Sequence, residues 1–319
     1  TGFERDYRQT VFAVGLRGTD AAKASEIEAL ILHTLEKVAR DGVEKDLIEG
    51  TLHQVEFGGK EIVRSSLPYG IVLMGWVYHT WLYDGDPLNG LNFAGRIADV
   101  RRRWEERPRL FEELIQTWFL DNQHRLLSIM EPHAAFLEER EHRFREEMTR
   151  IQNSLSADEL AAIDQEASAL KAFQAAPDDT EALDSLPKLR RQDIEREVET
   201  IPTSPIACAG VPALYHDLFT NGIAYLDLAF DCAHVPDDLH PYLPLLGKLM
   251  TNMGAAGLGY EEMAKRLALK TGGVACSLTA GLTAGGNGGW QKMTVRLKTL
   301  YRNIPDAVRL LGDLLTEGD

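Results

Sequence analysis

The first part of the chain alternates extended segments with a series of helical patterns. Residues 9–18 place Phe12, Val14 and Leu16 on one face, and this period of two predicts a strand. Apolar residues at intervals of three and four then predict a helix over about 20–42 that ends at a glycine. By the same reading, further helices are predicted over about 44–62, 69–82, 90–105 and 108–120, and a second strand over 124–130.

Residues 134–175 have a different character, with almost no glycine or proline and a high density of charge. Their apolar residues form a narrow stripe that passes through Phe144 in the first half and Leu160 in the second. Ser156 and Glu159 have the spacing of a capping box, which satisfies backbone donors at a helix start. Two helices with narrow stripes and a short turn between them predict an antiparallel helical hairpin. An acidic connector with several prolines follows.

A second globular segment begins near residue 206. Residues 222–232 alternate strongly between apolar and polar positions and predict a strand. Two further strands, over 273–284 and 290–300, are separated by a glycine-rich run that predicts a hairpin turn. Helices are predicted over about 236–253, over 260–270 and from about 305. The order strand, helix, helix therefore occurs twice, at 9–66 and at 222–270.

Length and charge restrict the kinds of partner. The 319 residues are enough for two domains. With 34 Lys and Arg against 49 Asp and Glu, the formal net charge is −15. This balance argues against a nucleic-acid surface or an anionic membrane surface, because both attract clustered basic residues. It is compatible with basic partners.

Cysteine usage indicates the redox environment. Cys208, Cys232 and Cys276 lie far apart and form no C-x-x-C pair. An odd, sparse set favours buried thiols in a reducing compartment, either cytoplasm or organelle matrix, over a disulfide framework. No apolar run approaches the length of a membrane span.

The sequence offers several candidate sites, each with a simpler interpretation. Glu138, His142 and Glu146 are spaced by helical turns, but arginines lie between them, so a solvated, ion-paired face is favoured over a metal site. Cys232 and His234 are interpreted as a strand end and not a catalytic dyad. The glycine-rich run lacks the G-K-[ST] of a phosphate loop. The tryptophans of the helical patterns are assigned to core packing: Trp76, Trp81, Trp104 and Trp118.

An ordered series of short phrases resembles a known family. Examples are HQVEF at 53–57, TNGIAYL at 220–226 and GYEE at 259–262. The other phrases lie at 12–18, 67–70, 81–87, 122–125, 186–189 with 193–194, and 270–274. As a series they resemble the presequence-protease branch of the insulinase-like (pitrilysin) zinc metallopeptidases, over nearly the whole chain. The zinc motif of that family, H-x-x-E-H, does not occur in this sequence.

The resemblance implies an α+β fold class. Two partial insulinase-type α/β domains, each a mixed or antiparallel sheet with packed helices, would be joined by the antiparallel helical hairpin. Residues 1–131 would be most of the second domain of the family, 132–205 the hairpin linker and connector, and 206–319 the first part of the third domain. The catalytic first domain and the fourth domain are expected to lie outside this chain.

The same resemblance implies a function for a longer parent protein. This chain would be a non-catalytic segment that forms chamber wall and hinge in a zinc peptidase that degrades short, unstructured peptides. No catalytic or metal-binding residue of the family can be assigned to a position here, the substrate-binding residues are unknown, and zinc is expected in the first domain of the parent. The expected partners are peptide substrates, the remaining domains of the same polypeptide, and further copies of the fragment by self-association. The alternative is a catalytically silent, insulinase-like scaffold or interaction module.

Overall fold

The computed structural model describes residues 2–4, 7–63, 67–198, 200–283, 285–286 and 288–318 and has a mixed α+β fold, as predicted. Its strands are β1 (Gly2–Glu4), β2 (Val11–Ala13), β3 (Ser204–Cys208), β4 (Val211–Tyr215), β5 (Ile223–Asp231), β6 (Gly273–Leu282) and β7 (Gly289–Leu300). Its α-helices are α1 (Ala24–Asp41), α2 (Lys45–Lys60), α3 (Tyr69–Trp81), α4 (Phe93–Glu106), α5 (Leu110–Ile115), α6 (Phe136–Ser154), α7 (Ala157–Ala175), α8 (Thr180–Ser185), α9 (Leu243–Met250), α10 (Tyr260–Lys270) and α11 (Ile304–Thr316).

The chain divides into two compact units. Residues 1–127 and 218–319 together form the first, and residues 128–217 form the second. The N-terminal and C-terminal thirds of the sequence therefore belong to one packed body. Their predicted assignment to two different domains of the family, with the boundaries given above, stays a prediction.

The core of the first unit lies on one face of the sheet β5–β7–β6, in which both pairings are antiparallel and β7 is central. Val295 and Leu297 of β7 are buried against Met250 of α9 and against Ala307 and Leu311 of α11. The alternation along β7 sends every second side chain into this core. A second buried cluster lies between α10 and α11 and contains Ala255, Met263, Leu310 and Leu314.

The N-terminal part of this unit has little sheet of its own. Strands β1 and β2 form a two-stranded antiparallel pair. The rings of Phe3, Phe12 and Phe119 cluster beside it, with the centroids of Phe12 and Phe119 4.7 Å apart. Helix α3 is rich in apolar residues, yet none of its side chains is buried. Much apolar surface is therefore open in this region.

The second unit consists of α6, α7, α8 and the β3–β4 hairpin. The predicted capping box is confirmed, because the backbone N–H of Glu159 donates to Ser156 and the carboxylate of Glu159 accepts from the backbone N–H of Ser156. The apolar stripe through Phe144 and Ile163 is more than half exposed. Both predicted helices are thus present, whereas their packing as an antiparallel pair stays a prediction.

Several sequence-based boundaries are wrong. Residues 124–130 form no strand, because an alternating segment becomes a strand only when a partner supplies hydrogen bonds. The first predicted strand is paired only over Val11–Ala13. The helix predicted from residue 236 begins at Leu243, since Pro241 and Pro244 fit only before or within a first helical turn. The β3–β4 hairpin and α8 lie where a connector was predicted, and residues 64–66, 284 and 287 of the predicted elements lie outside the described residues.

Substitution of Phe144 by Asp is expected to leave the free energy of unfolding of the first unit unchanged to within about 0.5 kcal/mol, because this side chain is exposed and lies in the other unit. All five tryptophans lie in the first unit, so tryptophan fluorescence during urea titration reports its unfolding. The matched control is Phe57→Asp, which places a charge at a site that is 4% exposed and should cost more than about 3 kcal/mol. Equal destabilisation by the two changes would contradict the division into units.

Candidate functional site

Helix α2 contacts the C-terminal part of the first unit through the segment 53–57. His53 and Phe57 are one helical turn apart and therefore share a face, and both are almost completely buried. Their neighbours come from α10, from β5 and from the end of β7. The contact joins residues more than 200 positions apart in sequence, for example His53 with Ala268, whose separation is 215.

The ring of Phe57 fills a socket that a glycine leaves open. Phe57 forms a buried cluster with Ile223 at the start of β5 and Leu300 at the end of β7. A Cβ atom added to Gly272 would lie 2.1 Å from Cζ of the ring, far inside contact distance. Only a residue without a side chain allows this approach, so Gly272 sets the distance between α2 and the sheet.

The imidazole of His53 uses both of its nitrogens within the contact. Nδ1 lies 2.9 Å from the carbonyl oxygen of Ala268, which can only accept, so Nδ1 carries the proton and donates. Nε2 is then an acceptor for the side-chain amide of Asn303 at 3.1 Å. Burial lowers the pKa of His53, because desolvation penalises the charged ring. The neutral imidazole therefore has its hydrogen-bonding capacity satisfied.

Gln54 completes the end of α10. Its side-chain amide donates to the carbonyl oxygens of Ala268 at 2.7 Å and Thr271 at 2.8 Å. Carbonyl groups in the last turn of a helix have no partner inside the helix. Helix α2 therefore supplies the hydrogen bonds that the C-terminus of α10 lacks.

Ion pairs surround this buried centre. The guanidinium of Arg302 donates to both carboxylate oxygens of Glu56, each at 2.8 Å. This pairing, with the ammonium of Lys60 at 3.3 Å, lowers the pKa of Glu56 from 4.5 to about 2. Glu61 accepts from Lys298 at 2.6 Å and from the hydroxyl of Tyr225 at 3.3 Å. Burial, together with the charge of Glu61, raises the pKa of Tyr225.

The geometry is that of a structural joint. Its imidazole has no nitrogen left for a metal or for proton transfer, and its carboxylates are held by cations. Over the part of the chain that the structure describes, no three His, Cys, Asp or Glu side chains are placed to hold a metal ion. No helix among those residues is long and apolar enough to cross a bilayer.

The family can be assigned once this geometry is known. Residues 130–319 match the family described as associated with peptidases of metallopeptidase subfamily 16C. The chain belongs to this family. Its relatives include presequence protease 1, chloroplastic/mitochondrial, of Arabidopsis thaliana, with 29% identity over 99% of this chain and 30% of that protein. Presequence protease, mitochondrial, of Danio rerio is 30% identical over 98% of the chain and 30% of its own length. Protein HypA of Clostridium perfringens is 27% identical over 99% of the chain and 32% of its own length.

These comparisons confirm the resemblance to presequence proteases. They also show that the chain spans about a third of the length of the curated relatives described here. The match to the peptidase-associated family covers both the second unit and the C-terminal sheet. The joint around His53 connects that sheet to the N-terminal part of the chain, which the relatives also match.

The structure separates the residues of the other candidate sites. His142 Nδ1 and Glu146 lie 3.4 Å apart on an exposed face of α6, where Arg145 also pairs with Glu141, so the ion-paired interpretation is confirmed. Cys232 is buried just after β5, and its thiol donates to the carbonyl of Phe230, which confirms a strand end. The glycine-rich run connects β6 to β7, with the N–H of Thr283 donating to Gly288.

Two expectations about buried side chains are wrong. Cys208 is exposed because it lies in the open β3–β4 hairpin, although Cys232 is buried as predicted. Trp81 and Trp118 are more than half exposed, because no element among the described residues covers them. Trp104 does pack, against Phe111, with ring centroids 6.1 Å apart.

The pKa of His53 predicts a pH dependence of stability. Because the folded-state pKa lies below the ordinary value of 6.5, the unfolded chain binds a proton more readily. The stabilisation is therefore complete above pH 6.5 and decreases as the pH falls through the folded-state pKa. In His53→Asn, the urea midpoint should fall less between pH 7.5 and 5.5 than in the unchanged protein. The control is His33→Asn at an exposed position, which should keep the original slope. Identical slopes in all three proteins would contradict the assignment.

The pair Glu56–Arg302 should show a coupling free energy of about 1 kcal/mol in a double-mutant cycle of Glu56→Gln and Arg302→Gln, since the pair is bidentate but Arg302 is half exposed. The coupling should be present above pH 4.5 and disappear as the pH falls through about 2, because the carboxylate must be charged. The control is the exposed pair Arg102–Glu106 on α4. If that pair shows an equal coupling, the joint has no special role for its ion pair.

Proposed function

We propose that this chain is a non-catalytic segment of a longer presequence protease-like peptidase, in which it forms chamber wall and hinge. The observation that carries the proposal is the match over 98–99% of the chain to about 30% of each presequence protease. Such a match favours one part of a multi-part protein, in which the chemistry and the substrate contacts are divided between segments.

The residues of this chain support a non-catalytic role. A zinc peptidase of the family type needs two histidines one helical turn apart, so that both imidazoles project from one helix face. None of the nine histidines has a second histidine four residues further along. The most deeply buried imidazole described, that of His53, is engaged through both nitrogens. These residues do not fit a zinc site, and the zinc of the parent is proposed to lie in a first domain outside this chain.

The division into two units supports the proposed wall and hinge. The joint around Phe57 makes the first unit one packed body that brings helices and a sheet together, as a wall requires. Residues 128–217 form a separate unit, whose two long helices expose their charged and apolar side chains. A segment with few buried contacts can change its arrangement at low cost, which a hinge requires.

The partners follow from the same proposal. They are short, unstructured peptides and the remaining domains of the longer polypeptide. A silent scaffold is the alternative, in which the same surfaces bind another protein and no peptide is processed. The two proposals differ in whether the reading frame upstream of this segment encodes H-x-x-E-H.

The purified chain is expected to leave an unstructured fluorogenic peptide uncleaved, with or without added zinc, and to retain less than about one tenth of an equivalent of zinc after dialysis. The measurements are fluorescence release and metal analysis. His53→Asn and His142→Asn serve as matched controls, since neither should change zinc content. Chelator-sensitive cleavage, or one tightly bound zinc per chain, would overturn the non-catalytic assignment.

A further inference from the structure

Strand β6 forms one edge of the three-stranded sheet. Its ten residues, Gly273–Leu282, pair with β7, which is central in the order β5–β7–β6. Among the described residues, no strand pairs with the other side of β6. None of its residues is buried. A row of backbone groups is therefore open along a long edge.

The ladder fixes which backbone groups point outward. At its end, the N–H of Thr283 donates to the carbonyl of Gly288 at 2.8 Å, and the two residues are opposite each other. In an antiparallel ladder, the residues that bond to the neighbour alternate along the strand. The odd-numbered residues of β6 therefore bond to β7, and the even-numbered residues from Val274 to Leu282 direct N–H and C=O to the open edge.

The edge lacks the usual protection against strand pairing. Natural edge strands carry charged residues, prolines or bulges that prevent another strand from adding. Residues 271–283 contain no charged residue and no proline. The opposite edge strand, β5, carries Asp227 and Asp231, and its Tyr225 contacts Glu61 of the segment after α2. Of the two edges of this sheet, the β6 edge is thus the one suited to a partner strand.

The surroundings of β6 suit an extended chain. On the outer face its side chains are small, at Gly273, Ala275, Ser277, Thr279 and Gly281. On the inner face α9 packs closely, since a Cβ on Gly247 would lie 2.8 Å from the sulfur of Cys276. Leu245, Leu246 and Leu249 of α9 remain about half exposed. An added strand would have apolar surface on one side and open space on the other.

We propose that the open edge of β6 binds an extended, unstructured peptide by strand addition. The backbone of the peptide would supply the affinity, and its alternate side chains would contact α9. The absence of charge along the edge and the net charge of −15 favour a neutral or basic peptide over an acidic one. This inference rests on the proposed function, in which unstructured peptides are the substrates.

Two prolines placed on the two edges of the same sheet provide the test. Ala280 of β6 and Ala229 of β5 are both exposed, and by the ladder phase both direct their N–H to an open edge; for β5 this follows from the bond of Cys232 N–H to Gln291. Proline at either position removes one outward donor and leaves the bonds to β7 intact. Ala280→Pro is the test and Ala229→Pro the matched control. Thr279→Lys, which adds an edge charge without a backbone change, is the second test.

The probe is a fluorescein-labelled peptide of about ten residues in which valine alternates with serine, and fluorescence anisotropy measures its binding. Ala280→Pro and Thr279→Lys should each weaken binding by about tenfold or more, and Ala229→Pro by less than about twofold. The same peptide with four consecutive N-methylated amides should not bind, because both of its edges lose donors. Circular dichroism and urea midpoints establish that each variant is folded.

Other results would overturn the site. These are no binding of the unmethylated peptide at about 1 mM, equal weakening by the two prolines, or undiminished binding of the methylated peptide. A dimer that Ala280→Pro dissociates and Ala229→Pro does not would assign the edge to a second copy of the chain. Cleavage of the probe would instead overturn the non-catalytic function, so the two failures are distinguishable.

Discussion

The close approach of α2 to the C-terminal sheet is the constraint on which the first unit depends. Phe57 occupies space that any side chain at residue 272 would fill, and it is buried with Ile223 and Leu300. Protein interiors tolerate neither overlap nor voids without cost. The position of α2 is therefore fixed by one ring and one glycine more than 200 residues apart.

Polar contacts around this ring give the joint its register. His53 and Gln54 bond to carbonyl groups of α10 and of the residue after it, so a helix slipped by one turn would leave those carbonyls without partners. The ion pairs of Glu56 and Glu61 lie at the rim, where solvent screens them. The apolar ring and the buried amide and imidazole thus contribute specificity that the surface charges alone would not.

The same unit leaves other surfaces uncovered. Helix α3 has no buried side chain, and β6 presents an unprotected edge. Large exposed apolar areas and open strand edges are the features by which proteins meet partners or other domains. Their presence agrees with a chain that spans about a third of the length of its relatives. In the proposed parent, part of this surface would contact neighbouring domains and the β6 edge would face peptide.

The sequence by itself determined most helices, the β5, β6 and β7 strands, the capping box at Ser156 and the family, because each depends on local spacing or on ordered short phrases. Residues 124–130 show the limit of such reasoning, since alternation predicts a strand but only a partner strand can form one. The phrase at 53–57 marked the family without revealing that His53 meets Asn303 or that Phe57 meets Gly272. Those contacts, the exposure of Trp81 and Cys208, and the open edge of β6 were decided by tertiary structure, because they depend on which distant segments come together and which surfaces they leave uncovered.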